Sequence, residues 1–146
     1  VQPTTGDLTK AVVEGNWGLG ESVVSGEITP DSFLVDKSSG SMVSSTISRK
    51  PRMVVYKKNG IGMVSVPAEK QNKPCIDESE LGEIVRIALE VESYFDMPQD
   101  MEWVFDEDMT FPNNLFWVQT RPAKFSAKKE DDSEYLAELM TRIFKM

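Results

Sequence analysis

Glu102, Gln119 and Arg121 are the residues of this sequence whose types and spacing could do chemistry, and they sit in two strand-like stretches, "QDMEWVFD" and "LFWVQTRP". Side chains alternate along an extended strand, so Gln119 and Arg121 fall on one face while Val118 and Thr120 point the other way. Pairing the stretches as a symmetric antiparallel hairpin, with Phe105 opposite Phe116, places Glu102 opposite Gln119 on that same face. A carboxylate and an amide oxygen side by side are hard ligands of the kind Mg²⁺ prefers, with phosphates and water completing the shell. Arg121 would grip a terminal phosphate through its planar, permanently charged fork. Spacing alone also permits, and on frequency favours, a solvated face on which Glu102 merely pairs with Arg121.

The second candidate is "VEGNWGLGESVVSGEITPD", which gathers Gly15, Gly18, Gly20 and Gly26 around Trp17. It matches neither GxxxxGK[ST], since no Lys follows the glycines, nor GxGxxG, so neither standard phosphate loop is supported. On its own it reads as a flexible turn.

Composition narrows the chemistry further. The chain has 146 residues, 40% of them hydrophobic, enough for one core and too few for two ordinary domains. A formal net charge of -8 argues against gripping nucleic acid or an anionic membrane through a general positive field. Any bound phosphate must be held by local cations, amides or a metal. Histidine is absent, which excludes Ser-His-Asp triads, His-ligated metals and phosphohistidine within this sequence. The single Cys75 offers no disulfide and has no activating His, so an inert thiol and a cytoplasmic setting are expected. No apolar run approaches the roughly 20 residues of a membrane span, and no signal peptide is visible. A start at Val1 rather than Met suggests an excised domain or a processed chain.

The positioning elements follow from periodicity. "TKAVVEGNW", "SFLVDK" and "RMVVYKK" read as strands, and "KNG" supplies a hairpin turn into "GMVSVPA". Leu81, Ile84, Val85, Ala88, Val91 and Phe95 recur at helical spacing behind an Asp77/Glu80 capping box. Leu136, Leu139, Met140 and Ile143 form a second helical stripe after the linker-like "KFSAKKEDD". Trp17, Trp103 and Trp117 are expected to pack in the core or against a sheet. "SSGSMVSSTISRKPR" is expected to be a loop with Arg49, Lys50 and Arg52 solvated, and "DEDMT" lacks the EF-hand spacing. The expected fold is α+β and largely antiparallel, with a helix against the sheet.

"EGNWGLGESVVSGEITPDSFLVDK", "PQDMEWVFD" and "FWVQTRP" occur in an order that resembles the ATP-grasp nucleotide-binding domain of the pyruvate, water dikinase (phosphoenolpyruvate synthase) and pyruvate, phosphate dikinase family. The last two are similar to that family's Pro-Gln-Asp-Ile-Glu-Trp and Leu-Gln-Ser-Arg-Pro segments. The resemblance covers Val13 to Pro122 and implies the C-terminal part of such a domain over 1–124, with a linker and helix over 125–146. It implies Glu102 and Gln119 as Mg²⁺ ligands and Arg121 as the contact to the transferring phosphate of ATP. Glu21 and Asn16 are weaker candidates for the phosphate end, where Gly18 and Gly20 would let the backbone approach. The family's upstream ATP-grasp half and its phosphohistidine domain would be partners supplied elsewhere. The acceptor would be pyruvate or, in related enzymes, phenol, rifamycin or a glucan. Two other classes stand beside this reading: a non-catalytic interaction domain that keeps the fold, and a free-standing metal-binding protein, for which Glu102 and Gln119 alone make a poor cage.

Overall fold

A computed structural model describes residues 1–2, 5–20 and 28–124. The elements run β1 (Lys10–Gly15), β2 (Asp31–Asp36), β3 (Met42–Thr46), β4 (Arg52–Lys57), β5 (Gly60–Ser65), α1 (Glu78–Phe95), β6 (Gln99–Phe105) and β7 (Leu115–Pro122). They form an antiparallel sheet of order β1-β2-β3 and two antiparallel hairpins, β4-β5 and β6-β7. The fold is α+β and mostly antiparallel, as expected. The expected C-terminal helix lies outside the described residues.

β2 shows the alternation of a strand with one face in the core: Asp31, Phe33 and Val35 are buried while Ser32, Leu34 and Asp36 are half-buried. Phe33 and Val35 join Val13 of β1, Ile76, and Leu81, Ile84 and Val85 of α1 in the main apolar cluster. Trp103, Phe105, Leu115 and Trp117 of the β6-β7 hairpin pack against the same cluster, which places two of the three tryptophans where aromatics were expected. Gly15 permits this approach, since a Cβ there would lie 2.8 Å from the Cys75 sulfur and 3.2 Å from the Trp103 ring. The third, Trp17, donates from its indole nitrogen to the Lys70 carbonyl at 3.2 Å and lies under the Lys70 ammonium.

The capping box forms as its residues suggest. The Asp77 carboxylate accepts from the Glu80 amide, and the Glu80 carboxylate accepts from the Asp77 amide, each at 2.8 Å. At the other end Asp96 turns left-handed and stops the helix. Lys37, just after β2, donates to Glu92 at 2.6 Å and ties the sheet to the helix.

Two expectations are corrected. The Ser-rich stretch holds β3, a fully exposed edge strand paired with β2, so its polar composition reflects a solvated edge rather than a loop. Lys50 is buried rather than solvated: its ammonium meets Asp31 at 2.5 Å and donates to the Ser48 carbonyl at 2.8 Å, with both charged side chains at 0% exposure. The Asp31 carboxylate also accepts the Ser48 and Cys75 amides, each at 2.9 Å, so the charge is taken out of water only where every oxygen has a donor.

Candidate functional site

The β6-β7 hairpin presents the residues singled out above. One face is held by the core through Trp103, Phe105, Leu115 and Trp117. The other is exposed and carries Asp100 and Glu102 from β6 with Gln119 and Arg121 from β7. Glu102 stands opposite Gln119, and Asp100 opposite Arg121, on successive outward-facing rungs. Directly opposed residues have Cβ atoms about 5 Å apart, so the Glu102 carboxylate and the Gln119 amide oxygen can share one ligand.

The expected pairing is reached by a different register. Phe105 pairs with Leu115 and not with Phe116; Val104 pairs with Phe116 and Trp103 with Trp117. The ladder then slips between Trp103 and Glu102, leaving Val118 without an opposite residue, and Glu102 still meets Gln119. Val118 is 65% exposed and does not follow the simple alternation that would oppose it to Gln119.

Arg121 does not pair with Glu102. Its Nε and Nη2 nitrogens reach one oxygen of Asp100 at 2.9 and 2.7 Å. Asp100 first, through that hydrogen bond, and Glu102 at longer range push the guanidinium pKa further up, so it stays charged at any working pH. Both partners are largely exposed, and an ion pair of this kind is weak and screened by salt. Arg121 can therefore exchange Asp100 for a phosphate at little cost. Asp100 is the member of this face that the sequence reading missed, and the signal was present: it lies two residues before Glu102, on the same side of the strand.

The other predicted residues are distributed differently. Gly18 has φ +74 and forms a parallel bridge to Val54; a Cβ there would lie 2.3 Å from the Val54 carbonyl oxygen. The Leu19 amide donates to that same oxygen at 2.8 Å, so the glycine joins this turn to β4. Among the described residues, nothing lies within 4 Å of where a Cβ on Gly20 would sit. Glu21 lies outside the described residues. Asn16 follows β1 directly and is half-buried. In "DEDMT", the Asp106 carboxylate accepts the Asp108 amide at 2.9 Å, a turn contact. Burial first, and the nearby Asp31 carboxylate second, push the Cys75 thiol up to about 12, which suits an inert thiol.

A carboxylate and an amide oxygen are hard donors, of the kind that Mg²⁺ or Ca²⁺ takes rather than a soft transition metal. Among the described residues no group of three or more His, Cys, Asp or Glu stands ready to hold a metal ion. Two protein oxygens on an open face would leave most positions around such an ion to other ligands.

Residues 1–140 match the family model described as pyruvate phosphate dikinase, AMP/ATP-binding domain. The chain belongs to this family. Among curated members, the phosphoenolpyruvate synthase of Aeropyrum pernix is 30% identical over 92% of this chain and 19% of its own length. The probable phosphoenolpyruvate synthase of Staphylothermus marinus is 34% identical over 90% of this chain and 18% of its own length. The prodigiosin synthesizing transferase PigC of Serratia marcescens is 32% identical over 86% of this chain and 14% of its own length. The chain thus spans about a fifth or less of the dikinase-family relatives it matches. No helix among the described residues is long and apolar enough to cross a membrane.

Proposed function

We propose that this chain forms the Mg·ATP-binding portion of a dikinase-type phosphotransferase, in which ATP phosphorylates a histidine and the phosphate then passes to pyruvate or a related acceptor. The observation that carries the reading is the opposition of Glu102 and Gln119 with Arg121 one outward rung away on the same exposed face. Glu102 and Gln119 would hold Mg²⁺ through their oxygens, and the ion supplies neutralisation of the triphosphate charge. Arg121 leaves Asp100 and binds oxygens of the transferring phosphoryl group, where its fork matches the charge that develops. Asp100 keeps Arg121 lying along the sheet face until the nucleotide arrives. Gly20, which carries no Cβ, is suited to close approach of the nucleotide, with Glu21 next to it in sequence.

This chain contains no histidine, so the phosphorylated histidine is supplied from outside it and the chain is inactive alone. The relatives' much greater length is consistent with an upstream ATP-grasp half and a phosphohistidine domain as the missing parts. The test is Mg·ATP titration and turnover of the native protein, together with whatever completes it, in wild-type, Glu102→Gln and Arg121→Ala forms. Arg121→Ala is expected to lower turnover by about 100-fold or more, the loss typical of removing a donor aimed at developing charge. Glu102→Gln is expected to weaken Mg·ATP binding. Unchanged affinity and turnover in both variants would sink the assignment and favour a non-catalytic interaction domain.

A further inference from the structure

Strand β7 must satisfy two demands that simple alternation cannot meet together. Leu115 and Trp117 pack against the core, whereas Gln119 and Arg121 stand on the exposed face opposite Glu102 and Asp100. All four positions are odd, so an uninterrupted strand would send them the same way, either burying the polar pair or exposing Trp117. β6 shows no such conflict: Asp100, Glu102 and Val104 are exposed while Met101, Trp103 and Phe105 are half-buried. The adjustment is made entirely by β7, where Val118 is the extra residue between the Trp103–Trp117 and Glu102–Gln119 rungs. Its side chain is 65% exposed, so burial gives no reason for its presence. A bulge does more than reset phase: it bends the strand and sharpens its twist, which re-aims the side chains beyond it.

We propose that Val118 is a positioning residue whose extra backbone unit aims the Gln119 oxygen and the Arg121 guanidinium at the point above Glu102 where a metal-bound triphosphate sits. This inference rests on the Mg·ATP reading above. The bulge separates two tasks on one strand, anchoring through Leu115 and Trp117 and binding through Gln119 and Arg121.

Deleting Val118 tests aim apart from phase. Without it, Leu115 and Trp117 still face the core, and Gln119 and Arg121 still oppose Glu102 and Asp100, now in a regular ladder without the added twist. The deletion is expected to keep the wild-type circular dichroism and melting temperature. Calorimetric titration of the native protein is expected to show Mg·ATP affinity at least about tenfold weaker, because sites tolerate little displacement of their ligating groups. Val118→Ala restores the extra backbone unit and is expected to bring affinity back to within about threefold of wild type, the range of an exposed substitution. Wild-type affinity in the deletion would overturn the proposal. So would a tenfold loss in Val118→Ala, which would assign the effect to the side chain; that outcome can overturn the proposal even if the deletion does not fold. Glu102→Gln measured in parallel keeps the two readings apart. No loss there means that the Mg·ATP site itself is wrong, and a loss there with none in the deletion means that only the role of the bulge is wrong.

Discussion

Asp31 and Lys50 join three segments that are distant in the chain. One Asp31 oxygen takes the Lys50 ammonium and the Ser48 amide, and the other takes the Cys75 amide, so the start of β2, the approach to β4 and the approach to α1 converge on a single carboxylate. A buried pair of this kind adds little when compared with an apolar replacement, yet breaking it strands a charge. Lys50→Met is therefore expected to cost about 3–5 kcal/mol of unfolding free energy in urea titration, with the double variant Asp31→Asn/Lys50→Met recovering part of that loss. A cost within experimental error would mean that water reaches the site. Arg121 presents the opposite case: it is exposed, paired with an exposed partner, and available to a ligand because its resting contact is weak. The two cations differ in role through burial and not through charge.

At the scale of elements, α1 owes its start to a local device and its place to packing. Glu80 and Asp77 satisfy each other's backbone amides, while Leu81, Ile84 and Val85 enter the core. Asp77→Ala is expected to destabilise the protein by about 1 kcal/mol, read as a lower thermal midpoint with unchanged helical signal. Loss of the whole fold would instead show that the cap nucleates more than the helix. The ion pairs of Arg86 with Glu83 and Glu90 decorate the exposed side of the same helix and should contribute far less. Strand β3 shows what the polar stretch at its position conceals, since an edge strand with both faces in solvent needs no apolar alternation and so leaves no period-2 signal.

For the whole molecule, the constraint is how much of the machinery this chain supplies. It belongs to the pyruvate phosphate dikinase AMP/ATP-binding domain family, yet it covers about a fifth or less of the relatives' length and holds no histidine. In the native protein, ATP with Mg²⁺ is expected to raise the unfolding free energy by about 2.7 kcal/mol at a ligand concentration 100 times Kd, while ATP with excess EDTA gives a much smaller shift. Equal shifts with and without Mg²⁺ would remove the metal from the proposed site. The chain alone is expected to take up no covalent label when incubated with radiolabelled Mg·ATP, and label appearing on it would contradict the division of labour.

Local periodicity is what the sequence determined by itself: the strands around Val12, Val35, Val54 and Val104, the hairpin turn at Lys58 to Gly60, and the helix behind Asp77 each leave a pattern within a few residues. The opposition of Glu102 and Gln119 was expected from alternation in an assumed hairpin, although the register assumed for it, with Phe105 opposite Phe116, is not the one that forms. The register inside that hairpin was not, since one extra residue is invisible until Trp117 is known to face the core and Glu102 to face solvent. Nor was the burial of Lys50, whose partner lies 19 residues away, or the choice of Asp100 over Glu102 by Arg121. Contacts made across the fold leave no periodic trace along the chain, so only packing in three dimensions decides which polar groups meet and which charges leave water.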